Sequence, residues 1–133
     1  MAIAEGAEKP GVSVAVKSVE ECRLDDLEEA DGIVIGSPTY FSNVVWQVKK
    51  LIDESIAVYR KGRALGGKVG GCFTSSGTQR DGKDRIRMLE LAFGLQHRMK
   101  TVPGIIRASS DGEEEVSKMC QEYGTEILRQ ILS

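Results

Sequence analysis

With 133 residues, 41% of them hydrophobic and 29% charged, the chain has the size and composition of one globular domain spanning residues 1–133. Such a domain buries a sizeable core without a disulfide or metal framework. The formal charge of -2, with Lys and Arg interspersed among acids, excludes the clustered basic surface of a nucleic-acid binder.

Cys22, Cys72 and Cys120 are far apart and the chain carries one histidine, so no zinc site is expected. The three cysteines are read as reduced thiols in a cytoplasmic protein. There is no apolar run of about 20 residues, so no membrane span is expected. The opening residues lack the basic and apolar regions of a signal peptide.

Residues 1–9 read as the tail of a helix stopped by Pro10 and Gly11. Val12, Val14, Val16 and Val19 then give a β-rich run with partial alternation, which predicts a strand over 12–19. The acidic segment from Arg23 to Ala30 predicts a helical turn, with Asp25, Asp26, Glu28 and Glu29 as a solvated face. Gly32 to Gly36 is a short continuous apolar run, the pattern of a strand buried on both faces of a parallel sheet.

A loop from Ser37 to Asn43 follows, with Ser42 or Asn43 as the cap of the next helix. Val45, Val48, Ile52, Ile56 and Tyr59 recur at helical spacing, and the glycines from Gly62 to Gly67 end the helix. Lys68 to Phe73 is the next strand, and Thr74 to Gln79 a polar loop at its carboxyl end. A helix with Met88, Ala92, Leu95 and Met99 on its stripe follows. Val102, Ile105 and Ile106 form a last strand broken by Pro103 and Gly104. Asp111 is expected to cap a final helix whose stripe is Val116, Cys120, Tyr123, Ile127 and Ile131. Glu113, Glu114 and Glu115 fall in its first turn, where negative charge suits the helix dipole.

Strands alternating with helices predict an α/β domain with a parallel sheet and right-handed crossovers. In such sheets ligands sit beyond the carboxyl ends of the strands. Two loops occupy that position. In the first, Pro38 fixes the backbone and presents Tyr40 and Phe41 as a flat surface beside Ser37, Thr39 and Asn43. In the second, Thr74, Ser75, Ser76, Thr78 and Gln79 offer hydroxyls and amides around Gly77. Together they suit a planar, largely apolar ring with a polar rim; an anion-binding nest is the alternative for the second loop. Neither a Walker-type phosphate loop nor a serine nucleophile elbow is present. His97, a lone histidine near a helix end, reads more as a surface or capping residue than as a catalyst, and Tyr59 reads as core or contact.

The segments Ala30–Asp53 and Gly67–Gln79 resemble the flavodoxin-like family, and within it the WrbA-type NAD(P)H:quinone oxidoreductases and related FMN proteins. The likeness extends over nearly the whole chain. It implies a doubly wound sheet of order 2-1-3-4-5 with FMN at the strand ends. It implies that Pro38, Thr39, Tyr40, Phe41 and Asn43 line the flavin ring, and that Ser75, Ser76, Gly77, Thr78 and Gln79 contact the ring and ribityl chain. His97 matches a position near the flavin, although Gln96 and Arg98 stand where the family usually has His and Gly. Tyr59 resembles an aromatic on the quinone and nicotinamide side.

The resemblance further implies NAD(P)H as electron donor, a quinone or similar small acceptor, no catalytic side chain beyond the flavin, and a homo-dimer or tetramer. Two departures qualify it. The family opens with a strand and a Ser/Thr-rich phosphate loop, and Met1 aligns inside the helix that follows them. The segment from Arg107 to Gly112 is shorter than the aromatic loop of WrbA-type proteins. Weak flavin binding is therefore expected. A flavodoxin-type electron carrier and a flavin-free interaction protein are the competing readings.

Overall fold

The computed structural model describes residues 2–40 and 43–133. Phe41 and Ser42, expected in the first loop, lie outside the described residues, as does the side chain of Tyr40. The elements in chain order are α1 (Ala2–Ala7), α2 (Leu24–Glu29), β1 (Gly32–Tyr40), β2 (Asn43–Val44), α3 (Trp46–Glu54), α4 (Ile56–Tyr59), β3 (Val69–Ser76), α5 (Gln79–Leu91), β4 (Lys100–Thr101), β5 (Ile105–Ala108) and α6 (Glu113–Leu132). A π-helical stretch, Ala92–Gln96, extends α5.

β1 and β3 form the centre of the sheet, parallel and in register from Gly32↔Val69 to Pro38↔Ser75. β4 and β5 continue it along the other edge of β3, both parallel to it. These last two are one strand interrupted at Val102–Gly104, as Pro103 and Gly104 predict. The pairing offset grows by one residue between Gly70↔Thr101 and Phe73↔Ile105, which is a bulge. Pro103 has no N–H to give, the Gly104 N–H donates to the Glu90 carboxylate (2.8 Å), and the Cys72 N–H donates to the Tyr123 hydroxyl (3.0 Å). Tyr123 in turn donates to the Val102 carbonyl (3.2 Å), so one phenol on α6 replaces main-chain partners lost at the break.

Helices cover both faces. On one side Leu27, Val48, Leu51, Val58, Ile86, Leu89 and Phe93 pack on Ile33, Ile35 and Cys72. On the other, Tyr123 and Ile127 of α6 and Ile3 of α1 pack on Val69 and Val102. α1 meets α6 at glycines: a Cβ on Gly124 would lie 2.0 Å from the Ile3 carbonyl oxygen, and one on Gly6 would lie 2.0 Å from that of Gln121.

Several expectations are corrected. Residues 12–19 form no strand; β propensity alone does not make one without a partner edge, and Val14 and Val16 are exposed. The Lys17 ammonium instead ties this segment to Asp26 (3.0 Å). Among the described residues the edge of β1 away from β3 pairs only with β2, antiparallel, at Thr39↔Val44 and Tyr40↔Asn43. The cap of α3 is Val45, while the Asn43 side-chain oxygen accepts from the Val44 N–H (2.8 Å). The buried stripe of α5 is Gly82, Ile86, Leu89 and then Phe93, one residue out of step with the expected Met88 and Ala92, which are half-buried; Leu95, in the π turn, is exposed. Gly112, not Asp111, precedes α6 as its cap. Asp111 closes the loop before the helix by accepting from the Ala108 N–H (2.9 Å).

Candidate functional site at the strand ends

The carboxyl ends of β1 and β3 are laced by hydroxyls. Ser37 and Thr74 are buried, at 2% and 1% exposure. The Thr74 hydroxyl donates to the Ser37 carbonyl (2.5 Å). Its one proton is thereby used, so at 3.0 Å it accepts from the Thr39 hydroxyl. The Ser37 hydroxyl donates to the Pro38 carbonyl (2.8 Å) and accepts from the Val45 N–H (3.1 Å), pinning the start of α3 to the end of β1. Thus three hydroxyl residues expected to face a ligand hold the first loop in shape.

The second loop is fixed in the same manner. The Ser76 hydroxyl donates to the Thr78 carbonyl (2.5 Å), and the Thr78 hydroxyl caps α5 by accepting from the Asp81 N–H (3.2 Å). The Gln79 amide donates to the Ile106 carbonyl (2.9 Å) and to Asp111 (3.4 Å), and the Ser109 N–H donates to the Gly77 carbonyl (3.3 Å). The loop after β5 is therefore bound to the loop after β3. Among the described residues the Ser75 hydroxyl has no hydrogen-bond partner, and Ser75 and Gly77 are exposed.

Beside these loops, between the sheet and the first half of α6, lies a cleft of about 350 Å³. Its walls are mainly apolar: Phe73 and Ile105 from the sheet, Val116 and Met119 from α6. Ser37, Ser75 and Arg107 supply its polar rim. Its floor depends on Gly36, because any Cβ there would fall 1.9 Å from the Phe73 ring. Cys120 also lines it; burial raises the thiol's pKa and the nearby Arg107 guanidinium opposes that rise. Cys72, deep in the core, is pushed up to about 12 by burial and is chemically inert at neutral pH.

Tyr59 and His97 do not join this group. They meet each other, ring centroids 6.3 Å apart and edge to face, just before the start of β4, whose Lys100 pairs with Val69 at the beginning of β3. The length of β3, eight residues, lies between them and the loops. His97 is 5% exposed. The Ser55 hydroxyl donates to the Ile52 carbonyl (2.6 Å), so it accepts from His97 Nε2–H (2.9 Å), which fixes the tautomer. Nδ1 is buried without a partner among the described residues, and burial lowers the pKa of the ring. Arg63 covers the Tyr59 ring at 5.1 Å. The structure thus places both side chains apart from the two loops. They staple the α3–α4 junction to the end of the π turn.

The sequence matches the profile of the NADPH-dependent FMN reductase family over residues 5–114. The chain belongs to this family. An NAD(P)H dehydrogenase (quinone) of Geotalea daltonii is 40% identical over 101 residues, covering 74% of this chain and 48% of the relative. One from Solidesulfovibrio magneticus is 38% identical over 88 residues, covering 66% of this chain and 43% of the relative. The chain thus spans about half the length of these curated relatives. The crystal structure of a flavodoxin, WrbA-like protein from Agrobacterium tumefaciens superposes with a TM-score of 0.79 at 26% identity, over 98% of this chain and 85% of that one. The flavodoxin-like fold is therefore established.

For an FMN reductase family member the site is chemically suitable. An amphipathic, phosphate-bearing ring compound needs apolar wall, hydrogen-bond donors and a cation. The cleft presents all three, with the Ser75 hydroxyl and the Arg107 guanidinium free of hydrogen bonds and ion pairs among the described residues. The sequence reading missed Arg107 and the α6 wall. The position of Arg107, at the carboxyl end of the last strand, was the available signal.

Proposed function

We propose that this chain holds FMN at the carboxyl ends of β1, β3 and β5 and serves in electron transfer from NAD(P)H to a quinone or similar small acceptor. The observation that carries this is the junction of the two loops. Pro38 and Ser75 stand opposite each other in register, Thr39 is hydrogen-bonded to Thr74, and both loops border the amphipathic cleft. Family membership and the quinone-dehydrogenase relatives support the same reading.

When bound, FMN supplies reversible one- and two-electron chemistry that side chains lack. The protein's part is placement. Pro38 and Thr39 set the first loop, with Tyr40, Phe41 and Asn43 following in sequence. Ser75, Ser76, Gly77, Thr78 and Gln79 set the second. The internal hydrogen bonds of Thr74, Ser76, Thr78 and Gln79 pre-organise it, so little loop entropy is lost on binding. Phe73, Ile105 and Met119 keep water from the apolar side of the cleft.

We further propose one domain and a homo-dimer or tetramer. The outward positions of the helices over one face carry Trp46, 69% exposed, with Ile56, Leu91 and Leu95. Among the described residues no helix is long and apolar enough to cross a membrane, and no three metal-ligating side chains converge. With three unpaired thiols, a cytoplasmic setting is the reading we favour.

The test is an FMN titration of the purified chain followed by flavin absorbance and fluorescence, then NAD(P)H-plus-quinone turnover. Saturable binding with acceptor-dependent oxidation of NAD(P)H is expected. Absence of binding at millimolar FMN would overturn the proposal.

A further inference from the structure

The second loop engages its main-chain carbonyls within the chain. The Ser76 carbonyl accepts from the Ser109 hydroxyl (3.4 Å), the Gly77 carbonyl from the Ser109 N–H (3.3 Å) and the Thr78 carbonyl from the Ser76 hydroxyl (2.5 Å). Gln79, the first residue of α5, differs. Its side-chain nitrogen donates to the Ile106 carbonyl (2.9 Å) and to the Asp111 carboxylate (3.4 Å). Both partners accept only, so the amide NH2 must face them and the orientation of the amide is fixed. Both N–H groups are thereby used. The side-chain carbonyl oxygen of this exposed residue has no partner among the described residues.

Resting on the FMN reading above, we infer that the Gln79 carbonyl oxygen accepts the hydrogen bond of the flavin's imide N–H, and that Asp111 is the positioning residue that keeps Gln79 an acceptor. The imide carries the only ring N–H of oxidised FMN. A ribityl hydroxyl can both donate and accept, so a serine or threonine hydroxyl serves it. An imide N–H can only donate, and left unpaired on leaving water it costs the full desolvation penalty. With the carbonyls of Ser76, Gly77 and Thr78 engaged, Gln79 supplies the acceptor. Asp111 acts through Gln79. One of its carboxylate oxygens takes both the Ala108 N–H (2.9 Å) and the Gln79 amide, so the same atom closes the loop after β5 and holds the amide. Without that oxygen the amide is tied by the Ile106 carbonyl alone and is free to turn.

The experiment compares FMN with FMN methylated on the imide nitrogen, on the full chain, by flavin fluorescence. The wild-type chain is expected to bind FMN about tenfold more tightly, the order of one hydrogen bond. Gln79→Met keeps the bulk of the side chain and removes the acceptor. It is expected to bring the ratio close to one by weakening FMN alone, whereas a ratio caused by crowding of the methyl group would survive it. Asp111→Ala is expected to cut the ratio about threefold. Asp111→Asn is expected to keep it, because an amide oxygen can still serve both donors. Proton NMR gives a second signature. The imide N–H of bound FMN should exchange slowly with water in the wild type and in Asp111→Asn, and rapidly in Gln79→Met. Circular dichroism confirms that the variants fold.

Equal affinity of the wild type for the two flavins, or a ratio that survives in Gln79→Met, overturns the acceptor role while leaving flavin binding standing. A ratio unchanged in Asp111→Ala overturns the positioning role. No binding of either flavin removes the functional reading and this inference together.

Discussion

The two ends of the central strands use polar side chains in opposite ways. At the carboxyl ends, Ser37, Thr39 and Thr74 spend their hydrogen bonds on one another and on the backbone. This leaves loop rims, Ser75 and Arg107 facing an open cleft. At the amino ends, Ser55, Tyr59 and His97 form an equally connected group, but it encloses its own buried nitrogen, His97 Nδ1, which has no hydrogen-bond partner among the described residues. The difference teaches that a polar cluster marks a site only where its network shapes free donors at a surface. A polar cluster that seals itself serves the fold.

That contrast can be broken at each end separately. The largest effect is expected from Gly36→Val. Its side chain would displace the Phe73 ring that floors the cleft, costing about 3 kcal/mol as overpacking. Urea unfolding should register the loss, and flavin titration should show binding abolished. The imidazole resonances of His97 should stay in place; movement of those resonances would show that the two ends are coupled after all.

Thr74→Val keeps the shape and removes the hydroxyl that joins the loops. It is expected to cost about 2 kcal/mol, because the Ser37 carbonyl and Thr39 hydroxyl are left short of a partner. The same measurements apply, with flavin affinity falling but not vanishing. A variant as stable as wild type would mean that the two loops hold their shape independently.

The smallest effect belongs to the amino end and appears only with pH. Burial lowers the pKa of His97 below its ordinary 6.5, so the folded chain holds the ring neutral where the unfolded chain takes up a proton. Stability is complete above about pH 6.5 and declines below it, by at most about 1.4 kcal/mol per unit, until the folded pKa is reached. His97→Gln cannot titrate and should flatten this part of the profile between about pH 7.5 and 5.5, without changing flavin affinity. A flavin affinity lowered by this substitution would place His97 at a functional site, for instance across an interface between copies.

Legibility in the sequence followed the physics of each segment. β1 and β3 were readable because a strand buried on both faces is apolar at every position, and Ile33 to Ile35 and Val69 to Cys72 are. The loops were readable from their place at the ends of those strands. Residues 12–19 were not, since β-branched residues state a preference that only a neighbouring edge can satisfy. The stripe of α5 was misplaced by one residue because Met88 and Ala92 repeat at the same helical spacing as the buried Leu89 and Phe93. That His97 lies apart from the loops was not readable, because a motif aligns residues along the chain, while the end of the sheet at which they lie is decided by strand direction.

The break between β4 and β5 has a consequence for the order of assembly. An interior amide of β3 is satisfied by a phenol on α6, an element synthesised after every strand. Among the described residues every strand precedes α6 in the chain, so the Cys72 amide gains its partner only where α6 docks on the sheet. One residue of that helix thus couples two layers: docking α6 and completing the hydrogen bonds of β3 are a single act of assembly.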